Sequence, residues 1–187
     1  MYLETFGFSW NQLSHITLTH NLAAWGGGIY SNRSFTGTAL LFDQNRAFSL
    51  GGGLMGASFP FYVQNSTFEH NHAGAGGGVY LSGAAGRFHQ TRFTKNTSNT
   101  TGGAINGNFG GPTELTGSNL WFEENRAQYG GAIHLQSGVY TISSTTFISN
   151  AALAETFWPL PYPVSSGGIG GAIYNMGGTI NLTETTC

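Results

Sequence analysis

The chain has 187 residues, enough for one packed domain and too few for two ordinary ones. Charged residues make up only 7% and the formal net charge is −2, so no strong field exists to attract nucleic acid or an anionic membrane surface. Aromatics at 14% exclude a disordered linker, which would be poor in them.

From the N-terminal end, Leu13-Ser14-His15-Ile16-Thr17-Leu18 alternates apolar and polar residues and predicts a short strand. Asn21 follows Leu18 at the third position, and Gly26-Gly27-Gly28-Ile29 comes next. Both patterns then recur in strict alternation. An apolar residue precedes asparagine by three at Phe42…Asn45, Phe68…Asn71, Phe93…Asn96, Phe122…Asn125 and Phe147…Asn150. The glycine pattern returns at Gly51–Leu54, Gly76–Val79, Gly102–Ile105, Gly130–Ile133 and Gly170–Ile173. Its aliphatic positions, 29, 54, 79, 105, 133 and 173, step by 25, 25, 26, 28 and 40 residues. Between the motifs lie further period-two runs, Phe61-Tyr62-Val63, Val139-Tyr140-Thr141-Ile142 and Thr179-Ile180-Asn181-Leu182.

A repeat of this length made of strands and turns is a solenoid. Helical repeats fail, because each interior glycine would cost about 1 kcal/mol. Leucine-rich repeats need several leucines per unit, and these are absent. Three short strands and three turns fill one repeat. The expected fold is therefore all-β: a parallel β-helix of about six to seven coils, about 25 residues per coil, over residues 1–187.

The phenylalanines should stack inward, one per coil, at about 4.8 Å spacing. Asn21, Asn45, Asn71, Asn96, Asn125 and Asn150 should form a structural ladder, each amide bonding its image in adjacent coils. Asparagine also tolerates the left-handed backbone that a corner demands. The paired glycines suit a second corner and close approach of successive coils.

The alternation, as it stands at Phe122–Asn125 and Gly130–Ile133, resembles the repeats of the chlamydial polymorphic outer-membrane proteins. Similar repeats occur in extracellular β-helix proteins of algae and other protists. The resemblance implies a right-handed parallel β-helix displayed at the cell surface and, in the bacterial family, an adhesive autotransporter passenger. The chain departs from it in carrying Gly-Gly-Gly in the first three copies.

One coil is interrupted. Residues 151–169 hold Phe157-Trp158-Pro159-Leu160-Pro161-Tyr162-Pro163 and should be extruded as a stiff loop, with Phe157, Trp158 and Tyr162 as its contact residues. Acceptor sequons for N-linked glycan occur at Asn32, Asn65, Asn96, Asn99 and Asn181. Asn96 is a ladder position, which leaves Asn32, Asn65, Asn99 and Asn181 as the glycosylation candidates.

Enzymatic β-helices use clustered carboxylates, whereas here Glu69 and the Glu123-Glu124 pair lie two coils apart. His70-x-His72 lacks further ligands nearby, so neither a metal nor another cofactor is expected. An outward row follows the aliphatic residue: Tyr30, Met55, Tyr80, Asn106, His134, Tyr174. It suits either cross-strand packing or a sugar-binding strip.

The function expected is a non-enzymatic structural module of a glycosylated extracellular or cell-surface fibre. The alternative is an adhesin, an autotransporter passenger that binds a host receptor or a carbohydrate. No run of 18 apolar residues is present to make a transmembrane helix, and nucleic acid is not an expected partner. Ile180–Cys187 matches Tyr140–Phe147 position for position, which puts Cys187 where a core phenylalanine belongs. Such a coil is expected to continue into further coils of the same chain, or into another copy stacked end to end.

Overall fold

A computed structural model of the chain describes residues 1–3, 11–108, 113–155 and 166–187. Every described element is a β-strand, and apart from one short antiparallel pair the strands stack coil upon coil in parallel. The register is carried by the aliphatic residue after the glycines. Ile29, Leu54, Val79, Ile105, Ile133 and Ile173 pair in succession along a seven-stranded sheet. Those six residues bound five complete coils. The wider count of six to seven is reached only by including the turn ahead of Ile29, part of which lies outside the described residues. It also takes in the strands Ile173–Asn175 and Thr179–Thr186.

The four coils between Ile29 and Ile133 each contain four strand segments rather than three. In the coil that begins at Leu54 these are Leu54–Ala57, Phe61–Gln64, Thr67–Glu69 and His72–Ala73. The additional bend comes from a residue with positive φ between the second and third segments, Asn65 at 50° in this coil and Gln90 at 46° in the next. Where the chain absorbs that bend into one strand, at Val139–Ile148, Ser144 carries it with φ 47°.

The corner before each ladder asparagine is also left-handed, but the asparagine does not adopt that conformation. The residue ahead of it does: His20, Gln44, His70, Lys95, Glu124 and Ser149, with φ between 52° and 55°. The asparagine side chain is thereby turned inward. The glycine corner divides its labour similarly. The first glycine has positive φ, as at Gly76 (64°). The second lies against backbone, so a Cβ on Gly77 would sit 2.3 Å from the carbonyl oxygens of both Gly103 and Thr97. Only glycine fits there.

The interior is one continuous column of rings. Phe42, Phe68, Phe93, Phe122 and Phe147 stack with centroid spacings of 4.3, 5.0, 4.9 and 4.8 Å and interplanar angles of 12° or less. Phe88 meets Phe93 edge-on at 5.4 Å and closes the column on one side. The aliphatic row from Ile29 to Ile133 is fully buried against it. Burying such side chains at about 1.5–3 kcal/mol each is what holds the coils to one another.

Candidate functional site

The ladder residues lie inside the wall of the solenoid. Asn71 Nδ2 donates to Asn96 Oδ1 (2.9 Å) and to the Phe42 carbonyl (2.9 Å), and Asn96 Nδ2 repeats this with Asn125 (3.1 Å) and Phe68 (2.8 Å). The series runs from Asn21 to Asn150, whose Nδ2 donates to the Phe122 carbonyl. From Asn45 to Asn125 these side chains have no exposed surface. They hold the wall together, and no ligand could reach them.

Of the sequon residues, Asn65, Asn99 and Asn181 are exposed, Asn32 is half-buried and Asn96 is fully buried. Phe157, Trp158 and Tyr162 lie outside the described residues. The base of their loop is closed by an antiparallel pair, Ala154–Glu155 with Ser166–Gly167.

The carboxylates are spread along the outer surface. Asp43 and Glu69 are register partners on adjacent coils, and His70 Nδ1 lies 3.4 Å from Asp43. Two coils away, Glu123 accepts from Trp121 Nε1 (3.1 Å) and from Arg92 (2.5 Å). Those two donors pull its carboxyl below the usual range. Lys95 approaches Glu124 at 3.9 Å. His72 bonds the Thr97 hydroxyl rather than joining His70. Among the described residues, no group of three or more His, Cys, Asp or Glu could hold a metal ion.

A different arrangement forms on the outward row. The glycine turn folds the residue ahead of it back beside the row: a Cβ on Gly51 would touch Met55 Cβ at 3.0 Å, and one on Gly170 would touch that of Tyr174 at 2.9 Å. A second row, Leu50, Ala75, Thr101 and Tyr129, therefore runs beside Met55, Tyr80, Asn106, His134 and Tyr174. The second row is bridged from coil to coil at Leu50–Ala75 and Thr101–Tyr129. Between the rows lies a groove of about 470 Å³, within the range of small-molecule sites.

The floor of this groove is polar and buried. Asn106 is 3% exposed and His134 is 4% exposed. Asn106 Nδ2 donates to the Thr101 hydroxyl, but its Oδ1 has no partner, and neither does His134 Nδ1. Turning the Asn106 amide over would exchange its oxygen and nitrogen and still leave one of them unpaired. A buried polar atom left so costs about 1–3 kcal/mol. Burial lowers the His134 pKa to about 4, so the imidazole is neutral at physiological pH.

Aromatic rings form one end. Tyr174 lies 5.5 Å from His134 and 5.7 Å from Tyr129, tilted to both. Gln136 and the exposed Met176 complete that end. Among the described residues, no charged side chain lines the groove. Sequence reading finds the outward row but misses the second one. The signal for it was the residue ahead of each glycine pair.

Residues 90–108 match the model of the Chlamydia polymorphic membrane protein repeat. The matched stretch contains Phe93, Asn96 and Gly102–Ile105, so it covers one unit of both motifs. No curated protein and no solved structure matches the chain.

Proposed function

We propose that this chain is a non-enzymatic structural segment of an extracellular or cell-surface protein, a stiff rod of stacked coils that carries glycan on its surface. The observation behind this reading is the continuous register from Ile29 to Ile173. Four strand segments per coil are bonded to their successors around one ring column, and the matched repeat bears the name of a membrane protein family. Such a rod lengthens by about 4.8 Å per added coil at little design cost. Additional coils, from the same chain or from a second copy, would bond to an edge strand's free N–H and C=O groups.

Catalysis is a poor fit, because the paired carboxylates lie on convex outer surface and each acid at Glu123 and Glu124 is matched to a cation. Exposed Asn65, Asn99 and Asn181 support the glycan part of the reading, since sugar would keep a surface with few charges soluble. Electron microscopy of cells labelled for this chain tests the proposal. Rods or filaments at the surface are expected, and label confined to the cell interior would overturn it. The groove favours a second reading, an adhesive rod, which would appear as isolated rods on a membrane instead of continuous filaments.

A further inference from the structure

We propose that the groove between the Tyr80–Tyr174 row and the Leu50–Tyr129 row binds a neutral saccharide, with Asn106 and His134 as its hydrogen-bonding floor and Tyr174 and Tyr129 as its stacking faces.

Three observations converge on that ligand chemistry. The first is the pair of orphan polar atoms, each on a side chain more than nine-tenths buried and each in the wall of the same groove. Native structures leave few such atoms, and those that persist call for a partner. A hydroxyl group both donates and accepts, so a sugar satisfies Asn106 whichever way its amide is turned, and His134 in either tautomer. A ligand offering donors alone or acceptors alone would not.

The second is charge. Among the described residues the lining holds no Asp, Glu, Lys or Arg, and burial keeps His134 uncharged. An anion or a cation brought into this groove would lose hydration and gain no counter-charge. The ligand is therefore uncharged, which sets sialylated and uronic acid sugars aside.

The third is shape. Tyr129 and Tyr174 are half-buried, line the groove at one end and are tilted 30° to each other. The negative face of an aromatic ring attracts the C–H bonds on the apolar side of a pyranose. The Thr101 hydroxyl and the Gln136 amide also line the groove and are further hydrogen-bonding groups for a sugar. The groove runs along the coil axis from Leu50 to Met176, so it suits an extended chain of sugars better than a single one.

Saturation-transfer NMR of the chain against lactose, cellobiose, maltose and diacetylchitobiose, each at about 10 mM, tests the proposal at the weak end of useful affinity. At least one neutral disaccharide should receive signal, and a uronic acid disaccharide should receive none. Tyr174→Ala should weaken that binding at least about tenfold, while Tyr174→Phe, which keeps the ring face, should bind within about threefold of the parent. Trp121→Ala, an exposed aromatic on another sheet and outside the groove, should bind as the parent does. Silence from all four neutral sugars would overturn the proposal, as would equal loss in Trp121→Ala and Tyr174→Ala. Preferential binding of an extended peptide over every sugar would assign the groove to protein instead. None of these results bears on the rod-like, surface-displayed role, which the microscopy tests separately.

Discussion

Asn71 directs both its backbone N–H and its side-chain Nδ2 to one acceptor, Asn96 Oδ1, at 3.1 and 2.9 Å. Asn96 makes the same pair of bonds to Asn125 Oδ1, at 3.0 and 3.1 Å. Each amide therefore takes two donors from the coil before it. It gives its own N–H groups to the coil after it and to a phenylalanine carbonyl. No lone pair or proton of this buried row is wasted, and the row closes the wall at its sharpest corner.

Asn96→Ala breaks four of these bonds at once. It strands the Asn71 backbone N–H and one Nδ2 proton of Asn71, and takes a donor away from the Phe68 carbonyl and from Asn125 Oδ1. The expected loss is about 2–4 kcal/mol, since each stranded group carries its full desolvation penalty. Asn96→Asp should cost at least as much, because a carboxylate cannot donate to Phe68 or Asn125. Urea titration followed by circular dichroism gives both values, and melting like the parent would refute the ladder's role.

The ring column makes a graded prediction. Phe93 is fully buried, with stacked neighbours on both sides and Phe88 at its edge, whereas Phe147 is 5% exposed and stacks on Phe122. Phe93→Ala should cost about 3–5 kcal/mol and Phe147→Ala less, about 2–3 kcal/mol, measured by the same titration. Equal costs would mean that the column does not transmit packing from coil to coil.

Adjacent glycines should respond oppositely to one identical change. A Cβ on Gly77 meets two backbone oxygens at 2.3 Å, neither of which can move without separating the coils. A Cβ on Gly78 meets the Ala104 carbonyl at 2.8 Å and Phe93 Cδ1 at 3.4 Å, and alanine already stands at the equivalent positions 104 and 132. Gly77→Ala is expected to cost about 3 kcal/mol or more, and Gly78→Ala to stay within about 1 kcal/mol of the parent.

This contrast marks what the sequence could reveal. The parallel solenoid and its register could be read because its motifs face inward, where spacing and residue type are dictated by stacking. Ile29 through Ile173 fall in the order that their spacing predicts. The left-handed residue was misplaced by one, onto asparagine, because that residue tolerates positive φ better than the histidine, glutamine or lysine that adopts it. Asparagine is needed one place later, for its amide. The groove was illegible for another reason. Met55 and Tyr80 point outward yet are 8% and 4% exposed, and the chain that shields them is brought there by the fold of the glycine turn. Period-two reasoning assigns such residues to solvent.

Peptide mapping of the chain made in a eukaryotic host should find glycan at one or more of Asn65, Asn99 and Asn181, whose side chains are exposed. Half-buried Asn32 should be occupied less, and Asn96, with no exposed surface, should carry none. Sugar on Asn96 would contradict its bonds to Asn71 and Asn125.

Acid should destabilise the chain through His134. Its folded pKa is about 4, lowered by burial, against an ordinary value of 6.5 when unfolded. Between those values the unfolded chain binds a proton that the folded chain refuses. Stability from this group is therefore complete above about pH 6.5, declines as pH falls toward about 4, and levels off below. At about 1.4 kcal/mol per pKa unit, the full interval would be worth about 3 kcal/mol. Solvent reaching the groove reduces that, so about 1–2 kcal/mol is expected between pH 7.5 and 5. Tyr80, Tyr129 and Tyr174 line the groove with His134, and among the described residues no carboxylate does. Urea midpoints of the parent and of His134→Gln at both pH values isolate the effect, since every other histidine is common to the two. The parent should lose about 1–2 kcal/mol more than the variant on acidification. Equal losses would mean that His134 takes its proton in the folded state as readily as in the unfolded one, and that the groove floor is not the low-polarity environment its burial implies.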